Sequence, residues 1–271
     1  MIRRAFLAVL LVLALRPAIG AETVVLASTT SVENSGLLAH ILPQFTAETG
    51  IEVRVLALGT GQALTVTARG DADLLLVHDP EAEARFMAEG HGAKRDLVAW
   101  NDYIVVGPAP DPAKIGGGHD AEAALAAIRR AQAPFVSRGD KSGTDALEKR
   151  LWRAAGLDPR TFGGWYRDIG GGMGAALNAA SALGAYTISD RGTWLSFGNK
   201  GDLLVLVEGA KALLNRYCVI LPNPAEHRPE GREPARRMAQ WLLSDEGQRA
   251  IGAYRVSGQA LFHPVADPVP E

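Results

Sequence analysis

The chain has a single cysteine, Cys218, among 271 residues. That excludes an intramolecular disulfide, so an exported form must be held together by its core alone. It has no excess of positive charge: 28 Lys and Arg face 30 Asp and Glu, a formal charge of −2. A mildly acidic chain is a poor partner for nucleic acid or an anionic membrane, and a site for anions must then be a local device. There is no Gly-x-Ser-x-Gly elbow of a serine hydrolase. His40, His78, His91, His119, His227 and His263 are scattered without metal-ligand spacing, so no metal-cation site is expected. His78, at the end of an apolar strand, reads as a packed or hydrogen-bonded core residue. The five tryptophans read as core or interface anchors rather than a sugar-stacking platform. Internal repeats, heptads and low-complexity tracts are also missing.

What is present begins with Arg3 and Arg4, an apolar run from Ala5 to Leu15, and the small residues Ala18, Gly20 and Ala21. This is the pattern of a secretory signal peptide over residues 1–21. The run of about 11 apolar residues falls short of the roughly 20 that span a bilayer. No cysteine closes the segment, so a lipoprotein anchor is not expected and the mature chain should be free in the periplasm. Loss of Arg3, Arg4 and Arg16 with the leader moves the formal charge from −2 to −5.

Beyond the leader, β-branched apolar stretches alternate with helical spacing. Strands are predicted at 24–27, 53–58, 74–77, 104–106, 135–136, 185–189 and 217–221. Helices are predicted at 37–45, 62–68, 81–87, 122–131, 145–155, 175–183, 235–243 and 245–254, with a Pro/Gly-rich loop at 108–119. Such alternation means βαβ units, a largely parallel sheet and, at this length, two α/β lobes.

Hydroxyl and glycine clusters stand where a strand gives way to a helix, four times over. They are Ser28-Thr29-Thr30-Ser31, Gly59-Thr60-Gly61, Arg138-Gly-Asp-Lys-Ser-Gly-Thr144 and Gly170-Gly-Gly-Met-Gly174. A helix start exposes unpaired N–H groups and the positive end of its dipole, so several converging starts would cradle an anion. The competing explanation is self-capping: Thr30 with Glu33 and Ser142 with Asp145 both fit a capping box. Arg138 is the fixed cation of the set, and Asp140 could neutralise it. Asp79 and Asp140 are the carboxylates that would favour hydrogen phosphate if they pointed into the cleft, because that ion must place its own proton on an acceptor. A dinucleotide enzyme is a further alternative, since Gly170-x-Gly172-x-x-Ala175 with Asp190 twenty residues on fits the fingerprint spacing. The predicted strand before it is poor, and such cofactors belong to the cytoplasm.

Taken in order, several segments resemble TupA-type tungstate-binding proteins of ABC importers, a family of type II periplasmic binding proteins. They are Ser28-Thr-Thr-Ser-Val-Glu-Asn-Ser-Gly-Leu-Leu38, Gly59-Thr-Gly-Gln-Ala-Leu64, Gly70-Asp-Ala-Asp-Leu-Leu-Leu-Val-His78, Asn101-Asp-Tyr-Ile-Val-Val-Gly-Pro108, Phe135-Val-Ser-Arg-Gly-Asp-Lys-Ser-Gly-Thr144, Gly172-Met-Gly-Ala175 and Gly184-Ala-Tyr-Thr-Ile-Ser-Asp-Arg-Gly-Thr193. The family's first loop commonly opens on threonine where this chain has Ser28, which keeps the hydroxyl. The resemblance implies an α/β, two-lobed periplasmic binding protein fold, each lobe a mixed, mostly parallel sheet flanked by helices, with the ligand in the cleft between lobes. It implies one lobe from residues 22–104 and 216–271 and the other from 105–215, with crossovers near Asp102 to Val106 and Leu214 to Cys218. Thr30, Ser31 and Thr60 are then expected on one wall of the cleft. Arg138, Ser142, Gly143 and Thr144 are expected on the other, with backbone donors around Gly172, Met173 and Gly174. The resemblance also implies a binding role with no enzymatic step and no cofactor, in which a tungstate or molybdate oxyanion stays intact and is handed to a permease and its ATPase by a monomer. The Arg-Gly-Asp-x-Ser-Gly-Thr loop is also similar to one in phosphate-binding proteins, so by itself it indicates a tetrahedral oxyanion.

Overall fold

The computed structural model describes residues 22–225 and 228–267; the segment read as a signal peptide lies outside them. The first elements are β1 (Thr23–Thr29), α1 (Thr30–Asn34), α2 (Leu37–Thr49), β2 (Glu52–Leu58), α3 (Thr60–Ala68), β3 (Leu74–Val77) and α4 (Pro80–Ala88). The long strand β4 (Gly92–Pro108) leads to α5 (Ala121–Ala131), β5 (Phe135–Ser137), α6 (Gly143–Ala154), β6 (Tyr166–Asp168), α7 (Met173–Leu183), β7 (Thr187–Asp190), α8 (Arg191–Ser196) and β8 (Leu203–Val207). The chain returns through β9 (Leu214–Pro222), α9 (Pro229–Leu243) and α10 (Asp245–Ala253), then the short strands β10 (Arg255–Val256), β11 (Gln259–Ala260) and β12 (His263–Pro264).

The sheet runs β12-β4-β9-β3-β1-β2, with β7 and β8 added to the far end of β4. Parallel pairs are β1 with β2, β1 with β3, and β5 with β6; β9 is antiparallel to both β3 and β4, so the sheets are mixed. β4 changes partners partway along: Gly92 to Asp102 pair with β9, whereas Tyr103 to Val106 pair with β7. On one side of that change lies a core containing Leu26, Ile41, Phe45 and Trp241. On the other lies a core containing Leu125, Phe135, Trp152 and Tyr186. The strand's alternation sends Tyr103 and Val105 into the second core and Ile104 and Val106 into a third cluster with Val136 and Leu177. Burial on both faces explains the unbroken apolar run there.

The sequence predicted β4 only over 104–106, and it missed β6 and β8. The first part of β4 carries Lys94, Arg95 and Asp96 on a partly exposed strand, which masks the strand signal. Three-residue β6 is too short for any period to register.

Two features of this architecture place the site. In register, Thr29 of β1 lies beside Leu58 of β2, so α1 and α3 both begin at the carboxyl edge of adjacent parallel strands. The parallel pair β5 and β6 does the same for α6 and α7. The carboxyl edge of such strands is where α/β proteins bind ligands.

Candidate functional site

A cleft of about 550 Å³ opens where α1, α6, α7 and α8 begin. Of the ten residues expected at a ligand site, Thr30, Ser31, Arg138, Ser142, Gly172, Met173 and Gly174 line it. Thr60, Gly143 and Thr144 do not. Thr60 opens α3 one strand away, while Gly143 and Thr144 lie just inside α6, with Thr144 buried.

The first loop is held from behind. Thr29, rather than Thr30, caps α1, accepting the Val32 N–H at 3.2 Å. The capping reading of Thr30 is therefore corrected: the extended conformation needed at a cap falls on Thr29, and Thr30 is left exposed at the cleft. Ser31 Oγ lies 3.0 Å from Thr29 Oγ1 and 3.1 Å from His78 Nε2. The buried His78 ring is thus a hydrogen-bonded core residue whose pKa burial lowers.

Across the cleft, the loop before α6 spends its polar groups on itself. Ser142 caps the helix by accepting the Asp145 N–H at 3.3 Å, as the capping-box spacing predicts. Asp145 in turn accepts the N–H groups of Gly139 and Lys141 at 3.1 and 3.2 Å. Arg138 donates to Asp140 through Nε at 3.1 Å and through Nη2, and to Thr144 Oγ1 through Nη1 at 3.2 Å. Burial works to raise the Asp140 pKa, but hydrogen bonds from Ser142 and the Arg138 guanidinium outweigh it and hold the carboxyl below its ordinary value. The guanidinium is therefore fixed in place and partly neutralised by its neighbour.

The glycine loop before α7 differs. Gly172 is its N-cap and no side chain caps the helix, so the opening N–H groups face the cleft without a side-chain partner. The two loops are tied together, Gly171 N–H donating to Arg138 C=O at 2.9 Å. Gly139 sits at φ +61°, and a Cβ there would collide with the Asp168 carboxylate, so this crossing requires glycine.

Sequence reasoning missed Asn34 and Ser35 at the end of the first loop, and Asp190, Gly192, Thr193 and Ser196 around α8. The signal for the latter was present, because Asp190-Arg-Gly-Thr193 repeats the hydroxyl-and-glycine pattern after a strand. Asp190 caps α8, accepting the Thr193 N–H at 2.7 Å and its hydroxyl at 2.8 Å. Both its oxygens are engaged in holding the start of α8, which accounts for this aspartate without a ribose and weakens the dinucleotide reading. Asp79 stands outside the cleft lining, capping α4 and pairing with Arg150 of α6 at 3.3 Å.

Among the described residues, the cleft lining carries one cation, Arg138, against the carboxylates of Asp140 and Asp190. An anion here must be met by dipoles and hydroxyls rather than by net side-chain charge. Among the described residues no cluster of His, Cys, Asp and Glu is placed to hold a metal ion, and no helix is long and apolar enough to cross a membrane.

A family model described as "PBP superfamily domain" matches residues 16–246. The chain is 44% identical to the tungstate-binding protein TupA of Peptoclostridium acidaminophilum, over 90% of this chain and 86% of the relative. It is 34% identical to the tungstate-binding protein TupA of Campylobacter jejuni, over 86% of this chain and 87% of that one. The solved structure of the tungstate-binding protein TupA from Desulfovibrio alaskensis G20 superposes with a TM-score of 0.84 at 41% identity, covering 91% of this chain and 100% of the other.

Proposed function

Because the chain belongs to the PBP superfamily and, within it, to the family of TupA tungstate-binding proteins, we propose that it captures tungstate for an ABC importer. It is a binding protein, not an enzyme. The importer's permease and ATPase are its partners, and it works as a monomer in the periplasm after removal of residues 1–21. One lobe comprises residues 22–104 and 216–271, and the other residues 105–215. The observation that carries the reading is the uncapped start of α7, set in one cleft with the Thr30 and Ser31 hydroxyls and the Arg138 guanidinium.

A dianion leaving water needs its charge spread over many hydrogen bonds, since an unpaired buried ion costs several kcal/mol. Bonds to a charged partner contribute about 1.5 to 3 kcal/mol each. Backbone donors of Gly172, Met173 and Gly174, the hydroxyls of Thr30 and Ser31, and Arg138 supply them; Ser142, Gly143 and Thr144 shape the loop that presents Arg138. The cleft volume of about 550 Å³ far exceeds a five-atom ion, so the lobes close upon the ligand and Thr60 joins from the neighbouring strand edge. No bond in the ligand is made or broken.

Selection against hydrogen phosphate follows from acceptors. Each oxygen of Asp140 and Asp190 already accepts a hydrogen bond from the protein. Asp140 does line the cleft, but a protonated ion would have to share carboxylate oxygens already engaged in holding Arg138, Ser142 and the start of α8, whereas a fully deprotonated one needs only donors. Calorimetric titration with tungstate, molybdate, sulfate and phosphate in competition tests the proposal. Tungstate should bind tightly and phosphate should not displace it; preference for phosphate, or indifference to all four, would overturn the reading.

A further inference from the structure

His78 lies behind the cleft, where both walls and both long strands meet. Its Nε2 is 3.1 Å from Thr29 Oγ1 and 3.1 Å from Ser31 Oγ on the first loop. Its Nδ1 is 2.9 Å from Asn215 Oδ1 on β9. On the opposite wall, a Cβ added to Gly143 would stand 3.1 Å from His78 Cε1, so the start of α6 rests against the ring. The ring also packs on Tyr217, with centroids 4.9 Å apart.

The protons in this cluster can be assigned. Asn215 commits its amide hydrogens to Asn101 Oδ1 at 2.9 Å and Tyr217 OH at 2.7 Å, leaving its oxygen toward the ring. Nδ1 must then carry the hydrogen, and in an uncharged imidazole Nε2 is a bare acceptor with one lone pair. Burial favours that uncharged form, against the Asn215 hydrogen bond and the Asp190 and Asp79 carboxylates, which pull the other way, and with Arg150, which assists it.

Two hydroxyl hydrogens, from Thr29 and Ser31, compete for that one lone pair. If Ser31 supplies it, Ser31 presents only lone pairs to the cleft and repels an oxyanion. If Thr29 supplies it, Thr29 Oγ1 still accepts the Val32 N–H and the Ser31 hydrogen is released outward, with no group left unpaired.

We propose that His78 is a positioning residue of the cleft: with Nδ1–H anchored on Asn215, its Nε2 takes the Thr29 hydrogen and thereby directs the Ser31 hydroxyl to donate to the bound oxyanion. This rests on the oxyanion reading above and adds to it a residue that never touches the ligand.

The test combines two variants with a spectroscopic readout. A glutamine at this position can place an acceptor where Nε2 stands, whereas an asparagine reaches only the place of Nδ1. Titration with sodium tungstate should therefore find His78→Asn weaker than wild type by about tenfold or more and His78→Gln within about threefold. Nitrogen-15 spectra of the imidazole in the unmutated protein should show the Nδ1–H tautomer, with an Nε2 resonance that moves when tungstate is added. Wild-type affinity in His78→Asn, equal loss in both variants, or a protonated Nε2 would overturn the proposal even if a variant folds poorly, since the last is read on the native chain. A wild-type protein that ignores tungstate would instead remove the ligand reading, and this inference with it.

Discussion

The loops that open α6 and α7 look alike in sequence, both being glycine-rich turns between a short strand and a helix, yet they are built on opposite principles. The first consumes its own donors: Ser142 caps the helix, Asp145 gathers the N–H groups of Gly139 and Lys141, and Asp140 grips Arg138. The second spends the N–H groups of Gly170 and Gly171 on Asp168 and on Arg138 C=O, but no side chain caps the opening N–H groups of α7. The same composition thus yields one loop that caps its own helix and one that leaves its helix start without a side-chain partner. A helix start is informative about binding only after its own caps are counted.

The contrast is broken most severely by giving α7 a cap of its own. Gly172 has extended backbone, and nothing lies within 4 Å of an added Cβ, so Gly172→Asp should fold and even gain helix stability. Its carboxylate would occupy the anion's donors, and tungstate affinity should fall about a thousandfold, or ~4 kcal/mol, in titration calorimetry. Retained affinity would show that α7 is not the anion's seat.

The next largest effect lies in the link between the loops. Glu148 of α6 accepts Tyr166 OH of β6 at 2.7 Å and Trp152 Nε1 at 3.1 Å, and burial raises its pKa from 4.5 to about 7. Between those values the folded chain keeps a proton that the unfolded chain has released, so stability falls as pH rises through that window and is level above it. Glu148→Gln should abolish that slope, worth about 3 kcal/mol at 1.36 per pKa unit. Urea unfolding of both proteins at pH values below and above the window would reveal parallel curves if the link is wrongly assigned.

Arg138→Ala should weaken tungstate binding by about tenfold or somewhat more, because a donor is lost and Asp140 then faces the cleft without its cation. Unchanged affinity would take Arg138 out of the site. The smallest change is Ser142→Ala, which removes a cap for about 1 kcal/mol of stability and should leave affinity within about threefold, as a self-satisfied loop requires. A larger loss of binding than of stability would mean that its hydroxyl serves the ligand directly.

Much of this was legible in the residues. Every predicted strand coincides with an observed one at least in part, and 185–189 starts two residues before β7. The clusters at Thr30, Ser31, Arg138, Ser142 and Gly172 to Gly174 do meet in one cleft, since each stands at the carboxyl end of a strand that borders it. What could not be read was how polar groups divide their hydrogen bonds. Capping by Thr29 rather than Thr30 depends on which residue is extended, and the engagement of Asp140 and Asp190 depends on side-chain direction. His78 is separated by 137 positions from Asn215, a distance at which no periodicity links two residues.

The seventeen residues of β4 form one unbroken strand that serves both cores, with irregular register near Leu97 to Ala99 and at Val105 to Val106. A shared backbone of this kind ties the two cores to one covalent segment, β9 pairing with its first part and β7 and β8 with its last, and the register shifts flanking Asp102 are where a strand bends and twists most.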